Sequence, residues 1–153
     1  MCRSEYASVV KTAFLVTGDL EEAKDLAQET LSRAFERWGR VSSLDRPEAW
    51  LQTVVTNLAI SWRRRQAVRL KVISRMRPRP QAVDDVARVD VLTALRRLTP
   101  AERSAVVLRF YSDLPYEEIA RALHKRPGTV RALTSRGLSR MRDMLREEEK
   151  TDV

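Results

Sequence analysis

The chain has 153 residues, which is enough for one ordinary domain or two small ones. Its 29 Lys and Arg against 21 Asp and Glu give a formal net charge of +8, which favours a polyanion or an acidic protein surface as a partner. One cysteine and one histidine exclude an internal disulfide and a zinc site built from several such ligands. Apolar runs are short and a signal-peptide core is absent, so we expect a cytoplasmic protein without membrane contact.

Helical spacing of the apolar residues dominates and no strand-like alternation occurs, so we predict an all-α fold. A first helix covers residues 4–17, and Gly18 suits the left-handed position that closes it. Asp19 can cap a second helix, with Glu22 as its reciprocal partner, and this helix extends to about Trp38. The apolar positions that we expect to be buried are Ala23, Leu26, Ala27, Leu31, Ala34, Phe35 and Trp38.

The opposite face of the second helix is acidic, which is unusual in a basic chain. It carries Glu21, Glu22, Asp25, Gln28, Glu29, Ser32 and Glu36. One interpretation is a solvated helix surface, and the other is a docking face for a basic partner.

A third helix covers about residues 47–66, after a loop over 39–46. Asp45 as a cap and Pro47 in the first turn form its start signal. Its apolar stripe consists of Leu51, Val54, Val55, Leu58 and Trp62. A polar strip with one large aromatic borders this stripe and consists of Trp50, Thr53, Asn57, Ser61 and Arg64. Trp50 and Trp62 fit either a core or rim position or a platform on which a nucleobase stacks.

A basic segment follows the third helix. From Arg63 to Arg79 it holds eight Lys and Arg and no acidic residue. Pro78 and Pro80 interrupt any helix there, so we predict a linker over residues 67–87 with helix persisting at its start. The linker is either a solvated tether or a basic strap along phosphate or an acidic channel.

A second helical unit begins near Ala87. Its first helix carries Val91, Leu92, Leu95 and Leu98, and a capping box from Thr99 to Glu102 with Pro100 starts the next. The core residues expected there are Val106, Val107, Phe110 and Tyr111. Pro115 opens a short helix, residues 124–126 form a turn, and Pro127 opens the last helix. His124 is a turn residue or a neighbour of phosphate.

The last helix has two contrasting faces. The face expected to pack on a core carries Val130, Leu133, Thr134, Gly137, Met141, Met144 and Leu145. The opposite face carries Gly128, Arg131, Ala132, Ser135 and Ser139, flanked by Arg136 and Arg142. No acidic residue occurs from Arg121 to Arg142, so nothing in this segment repels phosphate. This division is typical of a helix-turn-helix whose second helix enters the major groove.

Catalytic motifs are absent from the sequence. It contains no phosphate-binding glycine loop, no zinc-binding HExxH and no serine elbow, and no carboxylate is placed in an apolar pocket. We therefore expect no catalytic residue, no metal site and no cofactor, and a protein that is not an enzyme.

Four stretches, in this order, resemble bacterial RNA polymerase sigma factors of the extracytoplasmic-function (ECF) family, and the last is similar to an actinobacterial subgroup. They are LVTGDLEEAKDLAQETLSRAFERW (15–38), RPEAWLQTVVTNLAISWRRR (46–65), LTPAERSAVVLRFYSDLPYEEIA (98–120) and GTVRALTSRGLSRMR (128–142). The combination is specific although each piece alone is not. The resemblance implies two small helical domains, with sigma region 2 over 1–66, the linker over 67–87, sigma region 4 over 88–148 and a tail over 149–153.

The resemblance also implies partners and the residues that meet them. The partners are promoter DNA, the RNA polymerase core enzyme through its largest-subunit coiled coil and its flap, and plausibly an anti-sigma factor. Docking on the coiled coil is implied for Asp25, Gln28, Glu29 and Leu31. The loop 39–46 is implied to open and read the −10 element and hold an extruded base, together with Trp50, Asn57, Ser61 and Arg64.

The −35 element is implied to be read by the last helix. Base-reading positions of the family fall on Arg131, Ala132, Ser135 and Arg136, and phosphate contacts on Arg126, Thr129 and Arg140. Three residues depart from the family pattern: His124 replaces a common glycine, Leu133 a polar or basic residue, and Ser61 a frequent Asp or Asn. They bear on the promoter sequence rather than on the activity, and His124 implies strain in the turn.

An alternative function is a stand-alone, dimeric helix-turn-helix repressor. Its N-terminal helices would form the dimer, but the acidic helix lacks a self-complementary apolar seam. A third class, an enzyme or ligand-sensing module, has no catalytic constellation to support it.

Overall fold

The computed structural model describes residues 2–72 and 86–151. Its helices are α1 (Cys2–Thr17), α2 (Leu20–Glu36), α3 (Trp38–Val41), α4 (Pro47–Val72), α5 (Val86–Arg97), α6 (Pro100–Val106), α7 (Tyr116–Leu123) and α8 (Pro127–Thr151). A π-helical turn (Val107–Tyr111) continues α6. Strands are absent from the described ranges, which confirms the all-α prediction. In the same ranges no helix combines the length and the apolar character that crossing a bilayer requires.

The chain divides into two compact units, Met1–Gln81 and Ala82–Val153. In the first unit, α1, α2 and α4 pack on one another. Their buried apolar residues include Val9, Ala13, Val16, Ala23, Leu26, Ala27, Leu51, Val55 and Ala59. Several of these side chains are alanines, which allow the helix axes to approach closely. Each fully buried Val or Leu contributes about 1.5–3 kcal/mol.

Polar contacts attach α4 to α1 inside this unit. Gln52 is buried, and it accepts a hydrogen bond from Thr12 Oγ1 while its Nε2 donates to Ser8 Oγ at 2.9 Å. Further along α4, Arg63 Nη1 donates to the carbonyl oxygen of Val16 at 2.9 Å. Because buried polar groups lose free energy when unpaired, these contacts fix how α4 is rotated about its axis.

The junction of α1 and α2 follows the predicted signals with one difference. Gly18 has a φ of 74°, so it occupies the predicted left-handed position. Asp19 Oδ1 accepts from the Glu22 N–H at 3.1 Å, as expected of a cap. The predicted reciprocal contact of the Glu22 side chain with the Asp19 N–H is wrong, because this N–H donates to Thr17 Oγ1 at 3.2 Å. The Thr17 hydroxyl lies two residues away and takes the place that Glu22 would occupy.

The predicted burial of Phe35 and Trp38 is wrong. Phe35 is 82% exposed and Trp38 is 49% exposed. Arg37, with φ −113° and ψ 26°, interrupts the helix before Trp38. The chain then forms α3 from Trp38 into the segment 39–46 that was predicted as a loop, and Val41 is buried there instead.

The third predicted helix continues past residue 66 in the structure. α4 extends through the start of the predicted linker to Val72, as the persisting helix there implied. The part of the linker from 73 to 85 lies outside the described residues. At the other end of the chain, α8 extends to Thr151. The predicted tail is therefore helical up to that residue, and residues 152–153 lie outside the description.

In the second unit α8 packs on α5, α6 and α7. Its core includes Leu92, Leu95, Leu98, Ala105, Val106, Val107, Leu108, Leu114, Ile119, Val130 and Leu133. The predicted capping box is confirmed, since Thr99 Oγ1 accepts from the Glu102 N–H and Glu102 Oε1 accepts from the Thr99 N–H. Phe110 was predicted as core but is 54% exposed. The wider π-helical turn shifts the direction of its side chain.

The crossing of α6 and α8 depends on Gly137. A β-carbon at this position would lie 2.8 Å from Val106 Cγ2 and 3.5 Å from Leu98 Cδ1. Valine is branched at its own β-carbon and is confined to few rotamers, so Val106 cannot move aside at low cost. The absent side chain therefore sets how closely the two helices approach.

We expect Gly137→Ala to lower the free energy of unfolding by about 1–2 kcal/mol, because overpacking outweighs the gain in helix propensity. Gly128→Ala is the matched control, since it lies in the same helix and no atom would lie within 4 Å of its added β-carbon. Chemical denaturation followed by circular dichroism measures both. Equal stability of the two variants would contradict the close approach at Gly137.

Candidate nucleic-acid interface and docking face

The turn between α7 and α8 is closed by His124. This residue has φ 54° and ψ 46°, which is the left-handed region. The N–H of Lys125 donates to the carbonyl of Ala120 at 2.9 Å, which ends α7 in the way a glycine usually does. Since a side chain is disfavoured in this conformation, the strain predicted for the turn is present.

The packed face of α8 matches the prediction as far as Met141, beyond which Met144 and Leu145 are only half-buried. Val130, Leu133, Thr134, Gly137 and Met141 are buried, and Thr134 Oγ1 donates to the carbonyl of Val130 at 2.8 Å. Leu133, a departure from the family pattern, is 7% exposed. It therefore contributes to the core and does not belong to the surface available to DNA.

The opposite face of α8 is exposed and brings together most of the residues predicted for −35 recognition. Arg131, Ala132, Ser135 and Arg136 are exposed along it, and Arg126 and Thr129 are exposed at its start. We call these six residues the α8 surface. Its cations face solvent with no acidic residue among them, so the surface can approach phosphate and present side-chain donors to base edges.

Arg140 differs from the other predicted contacts because it is paired within the protein. Its Nη1 lies 3.0 Å from Glu102 Oε1, and the Glu102 side chain is only 4% exposed. The same carboxylate caps α6 through the Thr99 N–H. Arg140 therefore joins α8 to α6, while about half of its side chain stays exposed.

Tyr116 was missed by the sequence analysis. The guanidinium carbon of Arg109 lies 4.6 Å from the centroid of its ring, and that of Arg131 lies 5.2 Å away. Both distances are within the range of cation–π attraction. The aromatic residue at the start of α7 was visible in the sequence, but its two arginine partners meet it only after the helices pack.

The predicted −10 residues share one side of α4. Trp50, Asn57, Ser61 and Arg64 are separated by seven, four and three residues, so they fall within about 60° of one another on the helix. Ser61 and Arg64 are exposed, and Trp50 and Asn57 are half-buried. Trp62 lies outside this side of α4 and is half-buried, at the rim of the core.

On α2, the predicted docking residues Asp25, Gln28 and Glu29 are exposed, and Leu31 is half-buried. Glu29 pairs with Arg33 at 2.7 Å, which as an exposed pair adds little stability. Phe35 follows Gln28 by seven residues, or about two helical turns, and so lies on the same face. The structure therefore adds an exposed aromatic to the acidic face.

Negative charge is concentrated at the start of this face. Burial raises the pKa of Glu22, and the nearby carboxylates of Asp25 and Asp19 raise it further. Arg65 and the hydrogen bond from Trp62 act in the opposite direction. The surface thus combines closely spaced carboxylates with an apolar side chain, which is a combination suited to a basic protein partner.

Comparison with known proteins relates both units to one family. Residues 1–69 match Sigma-70 region 2, and residues 88–141 match Sigma-70, region 4. The RNA polymerase sigma-E factor of Streptomyces coelicolor is 30% identical over 148 residues, covering 94% of this chain and 82% of that protein. The ECF RNA polymerase sigma factor SigE of Mycolicibacterium smegmatis is 33% identical, covering 95% of this chain and 60% of that protein.

Solved structures show the same fold. The sigma factor RpoE of Bartonella quintana, solved in complex with the anti-sigma factor NepR, has a TM-score of 0.70 at 24% identity and covers 93% of this chain and 92% of its own. The sigma factor SigJ of Mycobacterium tuberculosis has a TM-score of 0.64 at 25% identity and covers 92% of this chain and 52% of its own.

The chain belongs to the extracytoplasmic-function sigma factors, within the sigma-70 family. It is of the actinobacterial type, as its Streptomyces and Mycolicibacterium relatives show. Its function is to direct RNA polymerase to promoters, where transcription is initiated. The repressor alternative is not supported.

We expect His124→Gly to raise the free energy of unfolding by about 0.5–1 kcal/mol, because glycine adopts the left-handed conformation without strain. Arg121→Gly is the matched control: it lies exposed in the last turn of α7, where glycine should lower stability by about 1 kcal/mol. Thermal unfolding measures both. A loss of stability in His124→Gly would show that its side chain, rather than its backbone, is what the turn requires.

Proposed function

We propose that the two units of this sigma factor divide promoter recognition, with the first unit acting at the −10 element and the second at the −35 element. The observation that carries the proposal is the α8 surface, which is exposed, cationic and free of acidic residues opposite a buried face. Run-off transcription with core RNA polymerase and a library of genomic fragments tests it. RNA starting from a shared pair of elements is expected, and no RNA would refute it.

Base recognition at the −35 element is assigned to Arg131, Ala132, Ser135 and Arg136. An arginine can donate two hydrogen bonds to guanine, and the small Ala132 allows contact with a thymine methyl group. Arg126 and Thr129 lie at the start of α8, where N–H groups and cations favour phosphate. Arg140, already held by Glu102, would contribute a phosphate contact with the exposed part of its side chain.

Opening of the −10 element is assigned to the side of α4 that carries Trp50, Asn57, Ser61 and Arg64, together with the segment 39–46. Extruding one base costs a few kcal/mol, and aromatic and cationic contacts must offset that cost. Trp50 supplies a half-buried aromatic face and Arg64 an exposed cation on the same side of the helix. Asn57 and Ser61 supply donors and acceptors between them.

Docking on the polymerase is assigned to the acidic face of α2 through Asp25, Gln28, Glu29 and Leu31. The exposed ring of Phe35 extends this face with the type of side chain that dominates binding energy in protein interfaces. The basic coiled-coil partner expected on the largest subunit would meet the carboxylates, and Phe35 would supply buried apolar area. The flap of the polymerase would be met by the second unit.

The remaining assignments concern the setting and regulation of the protein. We infer that it acts in the cytoplasm on RNA polymerase, without a cofactor and without catalysing a reaction itself. An anti-sigma factor is proposed as a regulator, since the Bartonella relative was solved with one. Binding of such a partner over the docking face or the α8 surface would prevent assembly with polymerase or DNA.

We expect the double variant Asp25→Lys with Glu29→Lys to weaken binding to core polymerase by about tenfold or more, since it replaces attraction by repulsion at the docking face. The control is Asp143→Lys with Glu149→Lys, which makes the same change in net charge on exposed positions of α8. Titration of a fluorescently labelled chain with core polymerase measures both. Equal affinities of the two double variants would remove the docking role of α2.

We expect Arg136→Ala to lose about 1–3 kcal/mol of discrimination at one base pair of the −35 element. Lys125 is an exposed cation of the turn before α8 and is assigned to no base. Lys125→Ala should therefore weaken binding to all sequences and lower the slope of affinity against salt by about one phosphate contact. Binding of the polymerase complex to single-base-pair promoter variants at several salt concentrations separates these effects. The division into base and phosphate contacts is wrong when both variants change discrimination equally.

A further inference from the structure

The ring of Tyr116 lies against two guanidinium groups from different elements. Arg109 comes from the π-helical turn and Arg131 from the first turns of α8, at 4.6 and 5.2 Å from the ring centroid. Arg131 is one of the residues assigned to base recognition. Tyr116 itself is half-buried at the start of α7, so one ring connects both helices of the helix-turn-helix with the element that precedes them.

The segment that leads into the Tyr116 ring is held by hydrogen bonds and by burial. Arg109 Nη1 donates to the carbonyl of Leu114 at 3.1 Å, and the Leu114 N–H donates to the carbonyl of Leu108 at 3.0 Å. Leu114 is fully buried, and Asp113 before it has a φ of 54°. Together these contacts define the connection into α7. The position of the Tyr116 ring therefore follows from the core of the unit rather than from the solvent-exposed surface.

Contact with the ring orients Arg131 without using its hydrogen-bond donors. Among the residues that the structure describes, Arg131 forms no salt bridge, and a guanidinium has five N–H donors. A cation held over an aromatic face loses less rotational freedom on binding than a freely moving side chain. The donors of Arg131 thus stay available for a base edge while its position is restricted beforehand.

We propose that Tyr116 is a positioning residue for promoter selectivity: its ring holds the Arg131 guanidinium ready for one base pair of the −35 element. The proposal rests on the proposed function in one respect, namely that Arg131 contacts a base. It does not require the Tyr116 hydroxyl, so it differs from a role in which that hydroxyl binds phosphate. Arg109 supports the same ring from the π-helical turn.

The test compares Tyr116→Leu, which removes the ring, with Tyr116→Phe, which keeps it and removes the hydroxyl. Polymerase carrying the full chain is titrated with a promoter recovered by run-off transcription and with its single-base-pair variants. Arg131→Ala first identifies the base pair whose discrimination depends on Arg131. At that pair, Tyr116→Leu should lose about twofold to fivefold of discrimination and Tyr116→Phe almost none. Adding Tyr116→Leu to Arg131→Ala should cause no further loss.

A second measurement examines the free protein. The NMR signal of the Arg131 Nε–H group should carry a ring-current shift and restricted motion in the native chain and in Tyr116→Phe, and should lose both in Tyr116→Leu. A rigid Arg131 in Tyr116→Leu, or a Tyr116→Phe variant that behaves like Tyr116→Leu, overturns the proposal. An Arg131→Ala variant with unchanged discrimination instead refutes the base contact assigned under the proposed function, and with it the effect of Tyr116 on selectivity. The NMR comparison then still shows whether the ring holds the Arg131 side chain.

Discussion

The close contact of α8 with α6 at Gly137 is the constraint on which the second unit depends. The missing side chain lets the helices approach until Val106 fills the space where a β-carbon would be. At this distance Glu102 can cap α6 and pair with Arg140 of α8 at the same time. Once Gly137 and Met141 face the core, the residues half a turn away must face solvent. The exposure of Arg131, Ser135 and their neighbours is therefore a consequence of how the opposite face packs.

The same relation between a fixed face and a free face holds in the first unit. Hydrogen bonds from Gln52 and Arg63 to α1 set the rotation of α4, and this rotation places the proposed −10 residues together on one side. On α2, burial of Leu26 and Ala27 leaves the carboxylates on the outside. The net charge of +8 is thus unevenly distributed: α2 presents an acidic face suited to a protein partner, and other surfaces are cationic and suited to DNA.

Most signals that involve only neighbouring residues were predictable from the sequence, although the reciprocal contact of Glu22 with Asp19 was not. The left-handed Gly18, the Thr99 capping box and the two faces of α8 each follow from local rules, and each is confirmed. Phe35 was wrongly predicted to be buried because it is apolar. At about 100° per residue it lies on the side of α2 opposite the buried Leu26. Phe110 could not be placed correctly because a π-helical turn changes the period after Val106. The contact of Tyr116 with Arg131 joins residues on different helices, so no local pattern contains it.

The structure separates the three departures from the family pattern by what each side chain can reach. Leu133 is buried, so its effect is on packing, and His124 occupies the left-handed position of the turn. Ser61 is the one whose side chain is exposed among residues assigned to DNA. A serine hydroxyl both donates and accepts a hydrogen bond, whereas an aspartate only accepts and repels phosphate. Under the proposed assignment of Ser61 to the −10 element, its hydroxyl can donate to an acceptor on a base, which an ionised aspartate cannot do. A promoter preference different from that of relatives with Asp at this position is therefore expected there.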